Sequence, residues 1–565
     1  MTARGERPAP SDPAADATAR RLWGGGAQYN RLACGALVVL LGVVYLTTLY
    51  PGVASGDSAE LQYMCPLLGV CHPPGYAIEV VVGKLFSLLP IGPNIAWRIN
   101  FMQSICGIVG GLALYGAIRR LTGQILPALV GATTLAFSTI YWSHSVAAEV
   151  YVFYGMFLLL GIYTAVRFLA SDKARWLYLT ALFLGICIGS RPSELFVLPA
   201  LAGLWLGMRG RARLSPLRIG LSVLVAVLPF VFTVCFYVAR EDPRLLHARD
   251  DALRDRILGL GTPFPERPLA ERLREAFVYS TGLGASQREK FTRFSLDQLA
   301  WDAKKYGWLL SGGGAFHDRF PRRDPRVDFD GYLLWREQGQ GTSVGALGLL
   351  LALAGLWAWR WQRGGLLLGL GLFLGNLVFY FCMHPVDNLQ FTIPGLAGLA
   401  VLVGLGAARR PAGRDRRWSL VYPLACFVVP VFLLVTNYRY VDPMTPETRE
   451  HLELGQLVKE TPLPNNPVII GTYSRVHTLR CLYWIDAGRT DVRVLIYRER
   501  FEGDELLRLV RTLRQRGYAV LFSSEAITKE DRKRVLAGWT PRELVDVGLF
   551  WAYPRGPGAR HWLGE

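Results

Sequence analysis

Asp57 and Glu60 stand three residues apart in Asp57-Ser58-Ala59-Glu60, a spacing that sets two carboxylates on one face of a helix. The run His72-Pro73-Pro74-Gly75-Tyr76 follows shortly after. A carboxylate held still at a membrane boundary can take a proton from a hydroxyl as a general base. The same two residues also come close to a capping box, with Asp at the cap and Glu three positions on. These readings coexist, because a cap fixes the side chain that a base needs fixed. Each proline of the second motif sets its own φ and restricts the residue before it. The turn is therefore stiff enough to hold His72 and Tyr76 facing the acids, although it also reads as a plain loop between two interfacial helices.

Further polar groups interrupt apolar sequence. Trp142-Ser143-His144 precedes Glu149-Val150-Tyr151; Arg191-Pro192-Ser193-Glu194 and His384-Pro385-Val386-Asp387-Asn388 occupy later junctions. An ionisable group costs about 2.5 to 3.5 kcal/mol at the centre of a membrane helix and less near the interface. Taken singly, each reads as ordinary interfacial solvation. Asp57, Glu149, Arg191 and Asp387 on one side of the membrane together imply a shared polar cavity.

The elements that must position these groups are membrane helices. The 565 residues are 51% hydrophobic and 19% charged, too apolar for a water-soluble chain. Eleven apolar stretches are expected as spans: 32–49, 95–118, 125–141, 150–169, 176–188, 195–208, 219–238, 344–359, 366–383, 391–407 and 420–436. Several fall short of the roughly 20 residues a perpendicular helix needs, so their ends extend into flanking sequence. The net charge of +18 does not form a basic groove with interleaved aromatics, which argues against nucleic acid as a partner. The arginines sit at span ends instead. Arg119 and Arg120, Lys173 and Arg175, Arg209 to Arg213, Arg360 and Arg363, and Arg409 to Arg417 fall on alternate connections, with Arg20, Arg21 and Arg31. The positive-inside rule makes that side cytoplasmic. The amino terminus is then inside, and an integral protein of a bacterial inner (plasma) membrane is expected.

The fold class expected is a polytopic α-helical membrane protein with a small extracytoplasmic α/β region at its carboxyl end. Residues 1–31 read as a disordered cytoplasmic tail, 32–438 as the transmembrane domain with extracytoplasmic loops 50–94 and 239–342, and 439–565 as the α/β domain. In that last part strand-like signals at 468–470, 492–497, 519–522 and 544–553 alternate with helix-like signals near 476–484, 505–516 and 529–537. The first loop reads as short interfacial helices broken by prolines. Of nine cysteines only Cys65 and Cys71 are close together outside the spans, where a disulfide is permitted.

The combination of Asp57-Ser58-Ala59-Glu60, His72-Pro73-Pro74-Gly75-Tyr76, Lys84-Leu85-Phe86 and Asn94-Ile95-Ala96-Trp97-Arg98-Ile99-Asn100 resembles the Asp-Ser-Gly-Glu and His-Pro-Pro-Gly-Tyr signatures of the DUF2723 membrane proteins. These are similar to TMEM260-type protein O-mannosyltransferases of the GT-C superfamily. The likeness continues through 142–151 and covers most of the first 200 residues. Ala59 stands where the family has glycine, and Arg191 where it has a more variable Asn or His.

The resemblance implies a GT-C glycosyltransferase. One sugar would move from a polyprenyl-phosphate donor, its lipid tail between spans, to an extracytoplasmic hydroxyl of a protein or glycan, with inversion. Asp57 is then the general base, assisted by Glu60. Arg191, Arg98 and Lys84, in that order, would meet the leaving phosphate. His72, Tyr76, His144, Glu149, Tyr151, His384 and Asp387 complete the expected substrate site. No residue is assigned to a metal; a divalent cation stays open, since the superfamily has members of both kinds. A transporter or flippase of an envelope precursor is the competing reading, opposed by the lack of an inverted sequence repeat, and a non-catalytic scaffold is a third.

Overall fold

The structure, a computed structural model, describes residues 26–208, 214–240, 246–260, 266–281, 341–382, 389–408, 417–441, 465–471, 473–496 and 503–522, with scattered single positions between them. It is mostly helical, and each apolar stretch expected as a span coincides with an apolar helix or helix pair. The chain opens with α1 (Ala27–Thr47), then two short helices, α2 (Gly56–Leu67) and α3 (Ala77–Ser87). Next come α4 (Ile95–Thr122), α5 (Ile125–Ala136), α6 (Thr139–Val146), α7 (Val150–Ser171) and α8 (Ala174–Ser190). A 3-10 turn (Pro192–Val197) runs into α9 (Leu198–Gly207), followed by α10 (Pro216–Arg240), α11 (Leu246–Leu258) and α12 (Leu269–Thr281). The apolar sequence resumes in α13 (Gly345–Gly355), α14 (Arg363–Cys382), α15 (Ile393–Ala407), α16 (Arg417–Ala425) and α17 (Val428–Asn437).

By length and composition six helices among the described residues can cross a membrane: α1, α4, α7, α10, the segment Arg363–Phe381 of α14, and the segment Val421–Tyr440. The pair α5 and α6 passes the same test together but bends by 68° at its break. A break inside hydrocarbon exposes backbone groups that no water can satisfy. Here the Phe137 carbonyl accepts Asn437 Nδ2 at 2.8 Å, and Asn437 also exchanges hydrogen bonds with the Thr342 backbone. The chain bends where a distant asparagine supplies the missing donor.

Burial follows position in the bundle. Helix α15 is buried along its whole length, whereas α10 exposes Leu217, Val223, Leu224 and Val231, and α1 exposes Leu32, Val39 and Val43. Such bare apolar faces belong against lipid. The inner helices approach closely through small residues, as membrane helices do. A Cβ on Gly398 would meet the Gly369 carbonyl at 2.6 Å.

The first loop is fastened to the bundle by buried amides. Gln62 Nε2 donates to Asn100 Oδ1 at 2.8 Å and its Oε1 accepts the Ala54 N–H at 3.0 Å. Asn100 also donates to the Tyr50 carbonyl and accepts the Ala148 N–H. The C-terminal carbonyls of α2 receive two cations: Lys84 Nζ on Pro66 at 2.7 Å, and Arg240 on Leu67 and Leu68. This is the end of a helix where positive charge is favoured.

Beyond the bundle lie β1 (Pro467–Gly471), α18 (Tyr473–Arg480), β2 (Arg493–Ile496), α19 (Gly503–Gln515) and β3 (Ala519–Phe522). The strands form a parallel sheet in the order β2-β1-β3. Central β1 is buried at every position, as a strand covered on both faces should be. The layer also recruits α11, whose Leu258 packs with Val468, Ile470, Leu495 and Leu509. Asp250 of the same helix is fully buried and accepts Arg493 Nη1 at 2.9 Å and the Val494 N–H at 3.3 Å. A segment of the second long loop thus joins the carboxyl-terminal layer, a connection that the linear boundaries 239–342 and 439–565 had separated. The expected signals at 529–537 and 544–553, and most of 1–31, lie outside the described residues.

Candidate active site

Helix α2 starts after Ser55, which makes no side-chain capping bond, and Asp57 lies in the first turn rather than at the cap. The capping-box reading therefore does not hold. Glu60 turns instead toward the proline turn: its Oε1 accepts the His72 N–H at 2.9 Å and its Oε2 meets His72 Nδ1 at 2.5 Å. The other ring nitrogen, Nε2, stands 3.6 Å from Asp57 Oδ2. One imidazole thus bridges both carboxylates of the spacing motif, and the N-terminal end of α2 adds its partial positive charge beside Asp57.

Burial alone opposes a charge on His72. Asp57 and Glu60 outweigh it, with Glu149 adding to them, and the imidazole is pushed up to about 10. At neutral pH it carries a proton between two acids. Asp57, Glu60 and His72 also present ligand atoms within 4.8 Å of one another, a mixed oxygen and nitrogen set that suits a divalent cation. A cation entering there must displace the imidazole proton.

The cluster extends through neighbours of both motifs. Ser58 Oγ donates to Glu149 Oε1 at 2.8 Å, which brings the start of α7 to the start of α2. Tyr76 stands edge-on to His72 at 5.1 Å and against Tyr154 at 5.8 Å. Its backbone has φ 48°, a left-handed conformation that costs a bulky residue about 1 to 3 kcal/mol. The peptide between Pro73 and Pro74 is cis.

A second group lies beside this one. Arg191 is buried, pairs with Glu194 at 3.3 Å, and stacks on Tyr151 at 4.6 Å and on Phe391 at 5.1 Å. Tyr151 in turn meets His144 edge-on at 5.2 Å. Among the described residues, Arg191 Nη2 has no hydrogen-bond partner. Burial raises the Tyr76 hydroxyl, and the charges of Arg191 and Asp57 both act on it, so it lies within electrostatic reach of the two groups.

The structure therefore brings together Asp57, Glu60, His72, Tyr76 and Glu149, with Arg191, Tyr151 and His144 alongside. It sends Lys84 and Arg98 elsewhere. Lys84 holds the end of α2, and Arg98 donates to the Ile91 and Ser87 carbonyls at 2.7 and 2.9 Å, fastening the turn after α3. His384 and Asp387 lie outside the described residues.

Sequence reasoning missed several participants, among them Ser58, Glu79 and Tyr473. Ser58 sits inside the motif and needed only attention to its hydroxyl. Glu79, buried on α3, accepts Gln103 Nε2 at 2.7 Å, and burial pushes its carboxyl up to about 8. Tyr473 of α18 donates to Asp57 Oδ1 at 3.2 Å from the far end of the chain, and no local pattern announces it.

Residues 57–212 match the family model described as the Protein O-mannosyl-transferase TMEM260 N-terminal domain. This region is TMEM260-like. The matched segment begins at Asp57 and takes in every member of both groups except Phe391 and Tyr473. The TMEM260 relatives include Protein O-mannosyl-transferase tmem260 of Dictyostelium discoideum, 24% identical over 398 residues, which is 67% of this chain and 44% of that protein. Protein O-mannosyl-transferase TMEM260 of Mus musculus is 32% identical over 154 residues, 27% of this chain and 21% of that protein. The chain thus spans less than half the length of either TMEM260 protein. Among solved structures, ArnT from Cupriavidus metallidurans bound to undecaprenyl phosphate aligns with 13% identity and a TM-score of 0.49, over 87% of this chain and 89% of that one.

Proposed function

We propose that this chain is a membrane glycosyltransferase that moves one sugar from a polyprenyl-phosphate donor to an acceptor hydroxyl on the extracytoplasmic side, with inversion. The observation that carries the reading is the convergence of Asp57, Glu60 and His72 within the segment that matches the TMEM260 domain. The names of the relatives point to mannose as the sugar and a protein hydroxyl as the acceptor.

In the step envisaged, the acceptor oxygen attacks the anomeric carbon as the bond from that carbon to the phosphate oxygen breaks. The acceptor proton passes to an Asp57 oxygen, and the bonding electron pair leaves with the lipid phosphate. General-base assistance of this kind contributes about 10² to 10⁴ in rate. Protonated His72 keeps the neighbouring carboxylates from repelling each other and orients Asp57. Arg191 is the cation proposed for the leaving phosphate, where preorganised positive charge lowers the barrier. Should a divalent cation be bound, Asp57, Glu60 and His72 would hold it, and it would supply charge for that same phosphate.

The test is transfer of radiolabelled mannose from a polyprenyl-phosphate mannose to a Ser/Thr-containing peptide by the purified chain in detergent. Transfer that is lost in Asp57→Asn supports the reading. An inactive parent chain that instead moves lipid-linked sugar across proteoliposomes would replace it with transport.

A further inference from the structure

Helix α18 lies across α2 and uses one face to do so. Tyr473, His477 and Arg480 recur at helical spacing and all reach that helix. Tyr473 donates to Asp57 Oδ1 at 3.2 Å, His477 Nδ1 pairs with Tyr63 OH at 2.8 Å, and Arg480 Nη1 donates to Tyr63 OH at 3.3 Å. Thr478 adds a hydrogen bond to the Ala54 carbonyl at 3.2 Å. The Tyr473 ring stands edge-on to His477 with centroids 4.3 Å apart, and the His477 ring stacks on Tyr63.

This face is anchored from behind. Arg480 is fully buried, donates to the Val494 carbonyl through Nε and Nη2 at 3.1 and 2.8 Å, and pairs with Asp251 of α11 at 3.3 Å. Its position is thus fixed by β2 and α11. A chain of hydrogen bonds then runs from the α/β layer through Arg480 and Tyr63 to His477, and the His477 ring packs edge-on against Tyr473. Tyr473 is the outermost member, 38% exposed, and its hydroxyl reaches the carboxylate at the mouth of the cluster.

We propose that Tyr473 is a positioning residue for Asp57, so that the α/β layer completes the reacting site instead of merely standing beside it. This rests on the reading of Asp57 as the reacting carboxylate. With Oδ1 held by Tyr473 and Oδ2 facing His72, the carboxylate is fixed from two sides, and an aspartate otherwise free to rotate is left in one orientation. Preorganisation of this kind acts on the chemical step and leaves binding of the lipid-linked donor alone.

The experiment compares Tyr473→Phe with the parent chain, using polyprenyl-phosphate mannose and a Ser/Thr peptide. The variant keeps the ring and its packing on His477 and removes only the hydroxyl. Loss of one hydrogen bond to a charged group predicts a kcat lower by roughly 10-fold, with the donor KM and the melting midpoint unchanged. An unchanged kcat overturns the proposal, and so does a fall in kcat that tracks a lowered melting midpoint. Asp57→Asn, assayed in parallel, separates the two levels. If Asp57→Asn is inactive while Tyr473→Phe equals the parent, the role of Asp57 stands and that of Tyr473 falls. If Asp57→Asn is fully active, both fall.

Discussion

Ser58 and Glu149 lie 91 residues apart in sequence and share a 2.8 Å hydrogen bond that joins the N-terminal ends of α2 and α7. The bond lets two short polar motifs, each following an apolar stretch, act as one site. Because Glu149 is nearly buried, its carboxylate depends on the donors around it. Ser58→Ala is expected to lower stability by about 1.5 kcal/mol, the scale of a hydrogen bond to a charged group. The check is the thermal unfolding midpoint in detergent, which should fall, with turnover reduced alongside it.

Asn100 is fully buried and is the hub of the first loop, meeting Gln62, the Tyr50 and Gly52 carbonyls and the Ala148 N–H. Replacing it with Leu strands several polar groups at once. Asn100→Leu should therefore cost about 3 kcal/mol or more, seen as a lowered unfolding midpoint. Asn100→Asp keeps the acceptor toward Ala148 but loses the donated bonds, and should fall between Leu and the parent.

Glu79 gives a pH dependence with a definite sign. Burial pushes its carboxyl from an ordinary value of 4.5 up to about 8, so the folded chain holds a proton that the unfolded chain releases. Between those two pH values folding takes up a proton, and stability falls as pH rises. Outside that window this group contributes no slope. Glu79→Gln keeps an acceptor for Gln103 and removes the titration. Unfolding midpoints measured from pH 5 to 8 should decline less steeply in the variant than in the parent.

Arg191 tests the second group. Its planar guanidinium stacks on Tyr151 and Phe391 while pairing with Glu194, a geometry that a lysine does not reproduce. Arg191→Lys is expected to lower kcat/KM for the lipid-linked donor by about 10². Initial rates over a donor concentration series would measure it.

Much of this arrangement was legible in the sequence because it is written locally. The apolar stretches, the proline-stiffened turn and the carboxylate pair are short-range patterns, and each has its helix, turn or cluster in the structure. Lys84 and Arg98 read as site residues because they are cations near the motifs. The sequence carried no sign that the carbonyls of Pro66, Ile91 and Ser87 would claim them. Two other features were invisible for a related reason. Asn437 satisfying the Phe137 carbonyl across 300 residues, and Tyr473 reaching Asp57 across 416, depend on packing between elements whose order in the chain says nothing of their contact. The docking of α11 on the sheet is of the same kind.

The measurement that bears most directly on the central claim is mannosyl transfer by purified parent and Asp57→Asn proteins at matched protein and donor concentrations. A carboxylate acting as general base predicts a rate lower by about 10² to 10⁴ in the amide variant, with an unfolding midpoint close to that of the parent. Transfer by Asp57→Asn within a few-fold of the parent would contradict the account.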